Sequence, residues 1–387
     1  MFFRMILVIY CLLFTPFSYS SNLTDVKKTF SKIITSELKK HSIPGAAYVI
    51  VKNNKIVALE TFGYTDKAKS RKVDSNTVFR LASVSKPFAA TITTMLALEN
   101  KLNLSDPITK FVPNFVLAQK GAAEKIQVKH ILSHSSGLMP NAYDNMLHEN
   151  WSMNKIIGRF NRVTPICKPE KCYGYQNIAY GFLQSVIEKS QSKNYSTLLS
   201  ERIFSPLKMN NSSVGIAAFL KQKNAAKPHV LIQQKRTGKK DKKGNNIKKY
   251  VWHKVKVKPD YYKVAPAAGI NASITDLAKW LNANMGYNPK VLSSALLKEV
   301  STPRIKTKKD LNRKHWKESL KDAHYGYGWR IYQFEKSPII YHSGWVSGFR
   351  ADIGYSPDLD IGFAILMNAE SNLINKLSHD FWKAAHK

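Results

Sequence analysis

Ser83 and Lys86 stand three residues apart in the stretch Phe79-Arg80-Leu81-Ala82-Ser83-Val84-Ser85-Lys86-Pro87-Phe88. A serine hydroxyl is a weak nucleophile until a base removes its proton. A lysine amine becomes such a base where burial or nearby cations disfavour its ammonium form. Downstream, Phe88, Ile92, Met95 and Leu96 recur at helical spacing. Pro87 suits a first helical turn, where its missing N–H has no partner to lose. The pattern therefore predicts Ser83 at the N-terminal edge of a buried helix, with Lys86 on the same side about 5–6 Å away. The free N–H groups and positive end of that helix favour a developing oxyanion. Spacing alone does not select this pair, because Ser-x-x-Lys also begins at Ser36, Ser152, Ser190 and Ser205. Ser83 is singled out because it alone opens a long apolar helix directly after an apolar stretch.

A nucleophile of this kind needs a proton shuttle and a means of holding substrate. Tyr175-Gln176-Asn177 lies in a loop that leads into a predicted helix. A tyrosine among lysines is expected to have its phenol pKa lowered, since cations favour the phenolate. It can then act as base towards Ser83 and as acid towards a leaving group. Asn177 offers both a donor and an acceptor to a substrate amide. Tyr143 to Asn145 is a second Tyr-x-Asn, and either tyrosine also reads as a half-buried structural residue. His342-Ser343-Gly344-Trp345 falls between two predicted strands, where a glycine on an edge permits close approach of a substrate backbone. The Trp345 N–H can complete an oxyanion hole with that of Ser83. His324-Tyr325-Gly326 competes with it, and a lone histidine in a strand is usually structural. His130 to Gly137 lacks a matching carboxylate and reads as a rigid loop with a glycine turn.

Elements to carry these groups can be read along the chain. Leu23 to Lys40 has helical periodicity, and two strands, Ala46 to Val51 and Ile56 to Phe62, flank a Lys52-Asn53-Asn54-Lys55 turn. The nucleophile helix runs to about Asn100. Breaks at Pro107, Pro113, Gly121, Gly137 and Pro140 mark loops and short helices. Ile178 to Lys189, Leu198 to Ile203 and Thr275 to Asn284 read as helices. After Tyr325 come four strands, Gly328 to Phe334, Ile339 to Tyr341, Phe349 to Tyr355 and Ile361 to Met367, then a closing helix from Leu373 to Ala385. The expected fold is α/β (α+β): an antiparallel sheet built from both chain termini, flanked by helices, with a mostly helical part inserted. The α/β part covers about 21–100 and 320–387, and the helical part about 101–319.

Composition narrows the setting. At 387 residues and 44% hydrophobic, the chain has ample apolar material for a core and is not a disordered one. Residues 1–20 read as a secretory signal peptide, with Arg4, an apolar run from Met5 to Phe14 and a small-residue site at Ser18 to Ser20. That run is shorter than the roughly 20 residues needed to span a bilayer. An exported protein, periplasmic or secreted, is expected. In an oxidising compartment Cys167 and Cys172 suit a short-loop disulfide, with two free thiols as the other reading. No second Cys or His pair accompanies them to make a zinc site.

The formal net charge of +34 is partly local: 15 Lys or Arg and 2 Asp lie between Lys221 and Lys263. Turn residues at 237–246 between extended runs suggest a long hairpin with a basic tip. It reads either as a solvated hairpin or as a contact for an anionic cell-envelope surface. No nucleic-acid-binding module is visible, and export argues against such a partner.

Taken in order, Ser83-x-x-Lys86, Tyr175-x-Asn177 and His342-x-Gly344 resemble the serine β-lactamase and penicillin-binding protein superfamily, specifically its class C-like branch. Leu132 to Leu138, Ala265 to Ile270 and Tyr325 to Trp329 strengthen the resemblance, which covers nearly all of residues 21–387. It implies a β-lactamase/transpeptidase-like fold with no metal and no cofactor. Ser83 would be acylated, Lys86 and Tyr175 would move protons, and Asn177 would bind the substrate amide. His342, Ser343, Gly344 and Trp345 would supply carboxylate recognition and half the oxyanion hole. The branch's β-lactamases usually carry Lys-Thr-Gly where this chain has His342-Ser343-Gly344, a variant found in relatives that are D-amino-acid peptidases or esterases. The expected function is a class C-like β-lactamase, a monomer acting on a small molecule or a peptidoglycan peptide. A D,D-peptidase, a D-aminopeptidase, an esterase and a silent wall-binding relative are the alternatives.

Overall fold

The computed structural model describes residues 21–240, 244 and 246–387; the expected signal peptide, residues 1–20, lies outside them. Gly45–Lys52 shows why the sheet forms where it does. Its residues are apolar almost without interruption, as a strand covered on both faces requires. Side chains alternate, so Ala46, Tyr48 and Ile50 enter one core while Ala47, Val49 and Val51 enter the other. Ile361–Met367 divides in the same way, with Phe363 and Ile365 on the first side and Ala364 and Leu366 on the second.

Eight strands make this antiparallel sheet, in the order Lys55–Gly63, Gly45–Lys52, Ile361–Met367, Phe349–Ser356, Ser337–Val346, Arg330–Phe334, Leu320–Tyr325 and Ile305–Lys306. Both chain ends therefore build one sheet, as expected. On one face lie the first helix, Ser21–Lys40, and the last, Leu373–Ala385. Phe30 of the first sets its ring edge-on to Tyr48, Phe363 and Phe381 at 5.4 Å from each. Ser85–Leu98 and Ile274–Asn282 belong to the other side, where Phe88 stacks on Trp280 at 4.0 Å.

Several expectations change. The helix Ser85–Leu98 is buried all round from Ser85 to Leu96, beyond the apolar set Phe88, Ile92, Met95 and Leu96 that helical spacing marked, because the sheet side and the helical part enclose it together. Ile178 to Lys189 is not one helix: Asn177–Gly181 and Leu183–Gln191 meet at Phe182. His342 to Trp345 does not fall between strands but inside Ser337–Val346, whose polar residues belong to the ladder. The strands Leu320–Tyr325, Val78–Arg80 and Ile270–Ser273 had no alternating signature long enough to find them. The basic segment is the expected hairpin, a two-stranded ribbon of its own with His229–Lys240 against Asn246–Lys254. Cys167 and Cys172 are joined by a disulfide.

Candidate active site

Ser83 sits on the one-turn helix Ala82–Val84, directly before Ser85–Leu98. Three neighbours hold this turn. Behind it, Val78–Arg80 pairs with Ile270–Ser273, and the Ile270 N–H donates to Ser85 Oγ at 2.9 Å. Arg80 is buried against Asp260, tying the approach strand to the 260–264 turn. In front, the Ser337–Val346 strand passes so close that a side chain at Gly344 would put its Cβ 2.2 Å from the Leu81 carbonyl oxygen. Gly344 is therefore explained by the approach of the protein's own backbone rather than of a substrate. Below, Gly328 has φ +74°, and a Cβ there would lie 2.7 Å from the Lys86 carbonyl oxygen.

One helical turn on, the Lys86 ammonium group is fully buried. Its Nζ lies 3.3 Å from Ser83 Oγ, 2.7 Å from Asn177 Oδ1 and 3.1 Å from the Ala267 carbonyl oxygen. The side chain thus reaches much nearer than the 5–6 Å that backbone spacing suggests. Burial drives the Lys86 pKa well below its ordinary value; Asp144 opposes this and Arg330 adds to it. The amine consequently has access to the neutral, proton-accepting state.

Tyr175 lies on the cleft floor with its ring centroid 4.5 Å from Lys86 Nζ. Its phenol moves opposite to the expectation: burial pushes it up to about 12, against the lowering effect of the Ser83 hydrogen bond and of Arg330. The neighbouring amine cannot favour a phenolate when it is itself pushed towards neutrality. Near neutral pH Tyr175 is a phenol and Lys86 the stronger candidate base.

The loop that presents Tyr175 is built from the 130–142 segment and the disulfide. Gly174 N donates to the His134 carbonyl oxygen, Glu170 N to that of Ser135, and Asn141 N to that of Tyr175. The His134 ring packs 4.3 Å from that of Tyr175 and accepts from Gln176 N at 3.3 Å. Contrary to the expectation of a loop without a carboxylate, His130 to Leu132 belong to the helix Val128–Leu132 and His130 Nε2 lies 3.1 Å from Glu170; only Ser133 to Gly137 form a loop, with His134 as its internal prop. Tyr143, the competing tyrosine, donates instead to the Arg159 carbonyl oxygen.

Asn177 is engaged at both ends, because its Oδ1 receives Lys86 while its Nδ2 donates to Asp144 at 2.7 Å. Its amide orients the amine as well as lining the cleft. Asp144 is a site residue that sequence reasoning missed, although it lies inside the Tyr-x-Asn that was set aside. Arg330, also missed, pairs with Asp310 and places its guanidinium 5.7 Å from the Tyr175 ring.

Past Tyr341 the Arg330–Phe334 strand no longer covers Ser337–Val346, leaving an open edge along the cleft. Ser343, Gly344 and Trp345 line it; His342 does not, being fully buried. His342 Nδ1 lies 2.9 Å from the Ser343 carbonyl oxygen, which can only accept, so Nδ1 carries the proton and Nε2 accepts from the Tyr325 hydroxyl at 2.9 Å. Burial holds its pKa well below the ordinary value, with Arg330 and Lys86 acting the same way. His342 braces the strand as a neutral ring. His324 points to Asp322 and stands apart from the cleft.

The cleft has a volume of about 830 Å³. Asp144, Asp260 and Glu370 line it together with Lys258, Arg313 and Arg350. The exposed Trp345 donates to Glu370 at 2.8 Å, and the Arg350 guanidinium sits 5.1 Å from its ring. Among the described residues no group of three His, Cys, Asp or Glu is placed to hold a metal.

The description Beta-lactamase is that of the family whose model matches residues 30–380. The chain belongs to this family. Protein flp of Staphylococcus aureus (strain N315) is 26% identical over 359 residues, 91% of this chain; the chain spans 65% of that protein's length. The octameric penicillin-binding protein homologue from Pyrococcus abyssi superposes with a TM-score of 0.75 at 25% identity, over 93% of this chain and 77% of that one. A class C β-lactamase mutant superposes at 0.71 and 19% identity, over 93% and 98%, a likeness of fold.

Two predictions follow from this geometry. Gly344→Ala forces the Leu81 backbone aside; it is expected to cost about 1–3 kcal/mol in denaturant unfolding and to slow acylation of Ser83. An alanine variant with wild-type stability and acylation would contradict the close approach. His342 has a depressed folded-state pKa, so the unfolded chain binds more protons below about 6.5. Its contribution to stability is present above that pH and is lost as pH falls towards the folded value. Unfolding free energy measured from neutrality downwards should fall less steeply in His342→Asn than in the wild type; parallel curves would exclude this role.

Proposed function

We propose that the protein is an exported serine hydrolase working through an acyl-Ser83 intermediate, and that its reaction is that of a class C-like β-lactamase, opening the amide of a β-lactam ring. The observation carrying this reading is the buried Lys86 amine 3.3 Å from the Ser83 hydroxyl. In this mechanism neutral Lys86 accepts the Ser83 proton as Oγ attacks the substrate carbonyl carbon. The N–H groups of Ser83 and Trp345 hold the oxyanion. As the carbon–nitrogen bond breaks, the leaving nitrogen takes a proton from the Tyr175 phenol, which Lys86 resupplies. Water then releases the acyl group by the same transfers in reverse. The Cys167–Cys172 disulfide supports an oxidising compartment, as does the apolar run at Met5 to Phe14. The protein would act as a monomer on a small molecule or a peptidoglycan peptide.

A second reading, a D-amino-acid peptidase or esterase, is favoured by His342. Because that ring is buried and neutral, the strand presents no cation at this position to a substrate carboxylate. Likeness to a penicillin-binding protein homologue points the same way.

Purified protein and Ser83→Ala would be incubated with a chromogenic cephalosporin, a fluorescent penicillin, short-chain esters and peptides ending in D-alanine, with intact-mass detection. Rapid cephalosporin turnover lost in Ser83→Ala is the expected result. A long-lived penicillin adduct, or cleavage of esters or D-peptides alone, would replace the β-lactamase by the second reading. Absence of any added mass on Ser83 with every donor would overturn both.

A further inference from the structure

The His229–Lys240/Asn246–Lys254 ribbon plays no part in the cleft, yet its register is electrostatically costly. In the backbone register Lys235 is paired with Lys249, and position 236 with Lys248. Like charges directly opposite destabilise a ribbon, and a two-stranded hairpin is only marginally stable by itself in water. No acidic residue alternates with these cations: between Lys221 and Lys263 the acids are Asp241 and Asp260. The ribbon also exposes Leu231 and Ile232, the latter at 61%.

Its root is ordered by contrast. Trp252 Nε1 donates to the His41 carbonyl oxygen at 3.0 Å, and the Tyr250 ring lies 4.6 Å from that of His41. Between this root, the end of the first helix and the first strand pair runs a groove of about 560 Å³. Leu38, Ile43, Phe62 and Trp252 give it an apolar lining, and Lys39, Lys67, Lys69 and Lys249 stand exposed around it. The one carboxylate there, Asp66, is already paired with Lys254 at 2.7 Å. Among the described residues no salt bridge engages the four lysines. An apolar trough ringed by lysines that have no carboxylate partner among the described residues, continuous with a ribbon in which Lys254 is paired with Asp66 while Lys235, Lys248 and Lys249 are exposed, complements a ligand that is apolar along its length and anionic at its head.

We propose that this groove and ribbon form a docking surface for an anionic phospholipid membrane, the ribbon lying along the headgroups and the groove taking an acyl chain. The lysines act through attraction to the negative surface, and Trp252 and Tyr250 sit at the boundary that amphipathic aromatics favour. This goes beyond hydrolysis and is independent of which acyl donor Ser83 accepts.

The test uses the purified full chain with vesicles of phosphatidylcholine alone and of an equimolar mixture with phosphatidylglycerol. Sedimentation should show binding at least about tenfold tighter to the mixed vesicles, weakening as salt rises. Lys39→Glu/Lys67→Glu/Lys249→Glu and Lys235→Glu/Lys248→Glu should each remove most of that preference without lowering the thermal unfolding temperature, since each replaces a like-charge pair of the ribbon by an opposite-charge one. Phosphatidylglycerol brominated on its acyl chain should quench tryptophan emission, and the quench should shrink in Trp252→Phe. Equal binding to both vesicles, anionic binding that survives both lysine variants, or no chain-dependent quench would overturn the proposal. So would complete competition by a soluble polyphosphate, which would mark a general polyanion site.

Discussion

An amine taken out of water beside a hydroxyl is the constraint on which the rest of the site depends. An ammonium loses its hydration on burial, and full burial can lower a lysine pKa by about 3–5 units. Among the described residues no carboxylate pairs directly with Lys86 to offset that loss; Asp144 is linked to it through Asn177. The three groups around Nζ are a hydroxyl, an amide oxygen and a backbone carbonyl, all neutral. Desolvation therefore outweighs Coulombic support, and Arg330 tips the balance further. Had Asp144 met Lys86 directly, the pair would have kept its charges and Ser83 would lack a base.

The surrounding architecture keeps that arrangement dry and close. Two glycines, Gly344 and Gly328, let separate backbone segments press against either side of the nucleophile turn. The helix behind it is buried from Ser85 to Leu96, and Lys86 is closed off from solvent within it. A loop stapled at Cys167 and Cys172 and propped by His134 brings Tyr175 to the cleft beside Lys86. His342, satisfied as a neutral ring, stiffens the strand from which Gly344 and Trp345 face the cleft. Each element is explained by what it holds near Ser83.

Much of this was legible in residue order because the chemistry is carried by short local spacings. Ser83 and Lys86 share a turn, Tyr175 and Asn177 share a loop, and Ser343 to Trp345 share a strand, so each group could be named before the fold was known. The terminal origin of the sheet was legible too, since Ala46 to Val51 and Ile361 to Met367 are dense apolar runs. What depends on tertiary distance was not. The direction of the Tyr175 shift follows from how deeply its ring is enclosed, and neighbouring lysines in sequence say nothing of that. Whether His342 faces substrate or core is decided by Tyr325, and Asp144 matters only because Asn177 reaches it. Short strands such as Leu320–Tyr325 and Ile270–Ser273 are ordered by their partners more than by their own pattern.

Burial of charge also frames what the protein does elsewhere. Beside the cleft Lys86 is desolvated and braced; on the ribbon Lys235, Lys248 and Lys249 are exposed. The most direct check of the first is a side-chain NMR titration of Lys86, with Lys86→Arg used to assign its signal. Loss of the Lys86 proton well below the ordinary lysine value of about 10.4 is the result this account predicts. An ammonium that persists to that value would contradict it, leaving Ser83 without the base on which the mechanism rests.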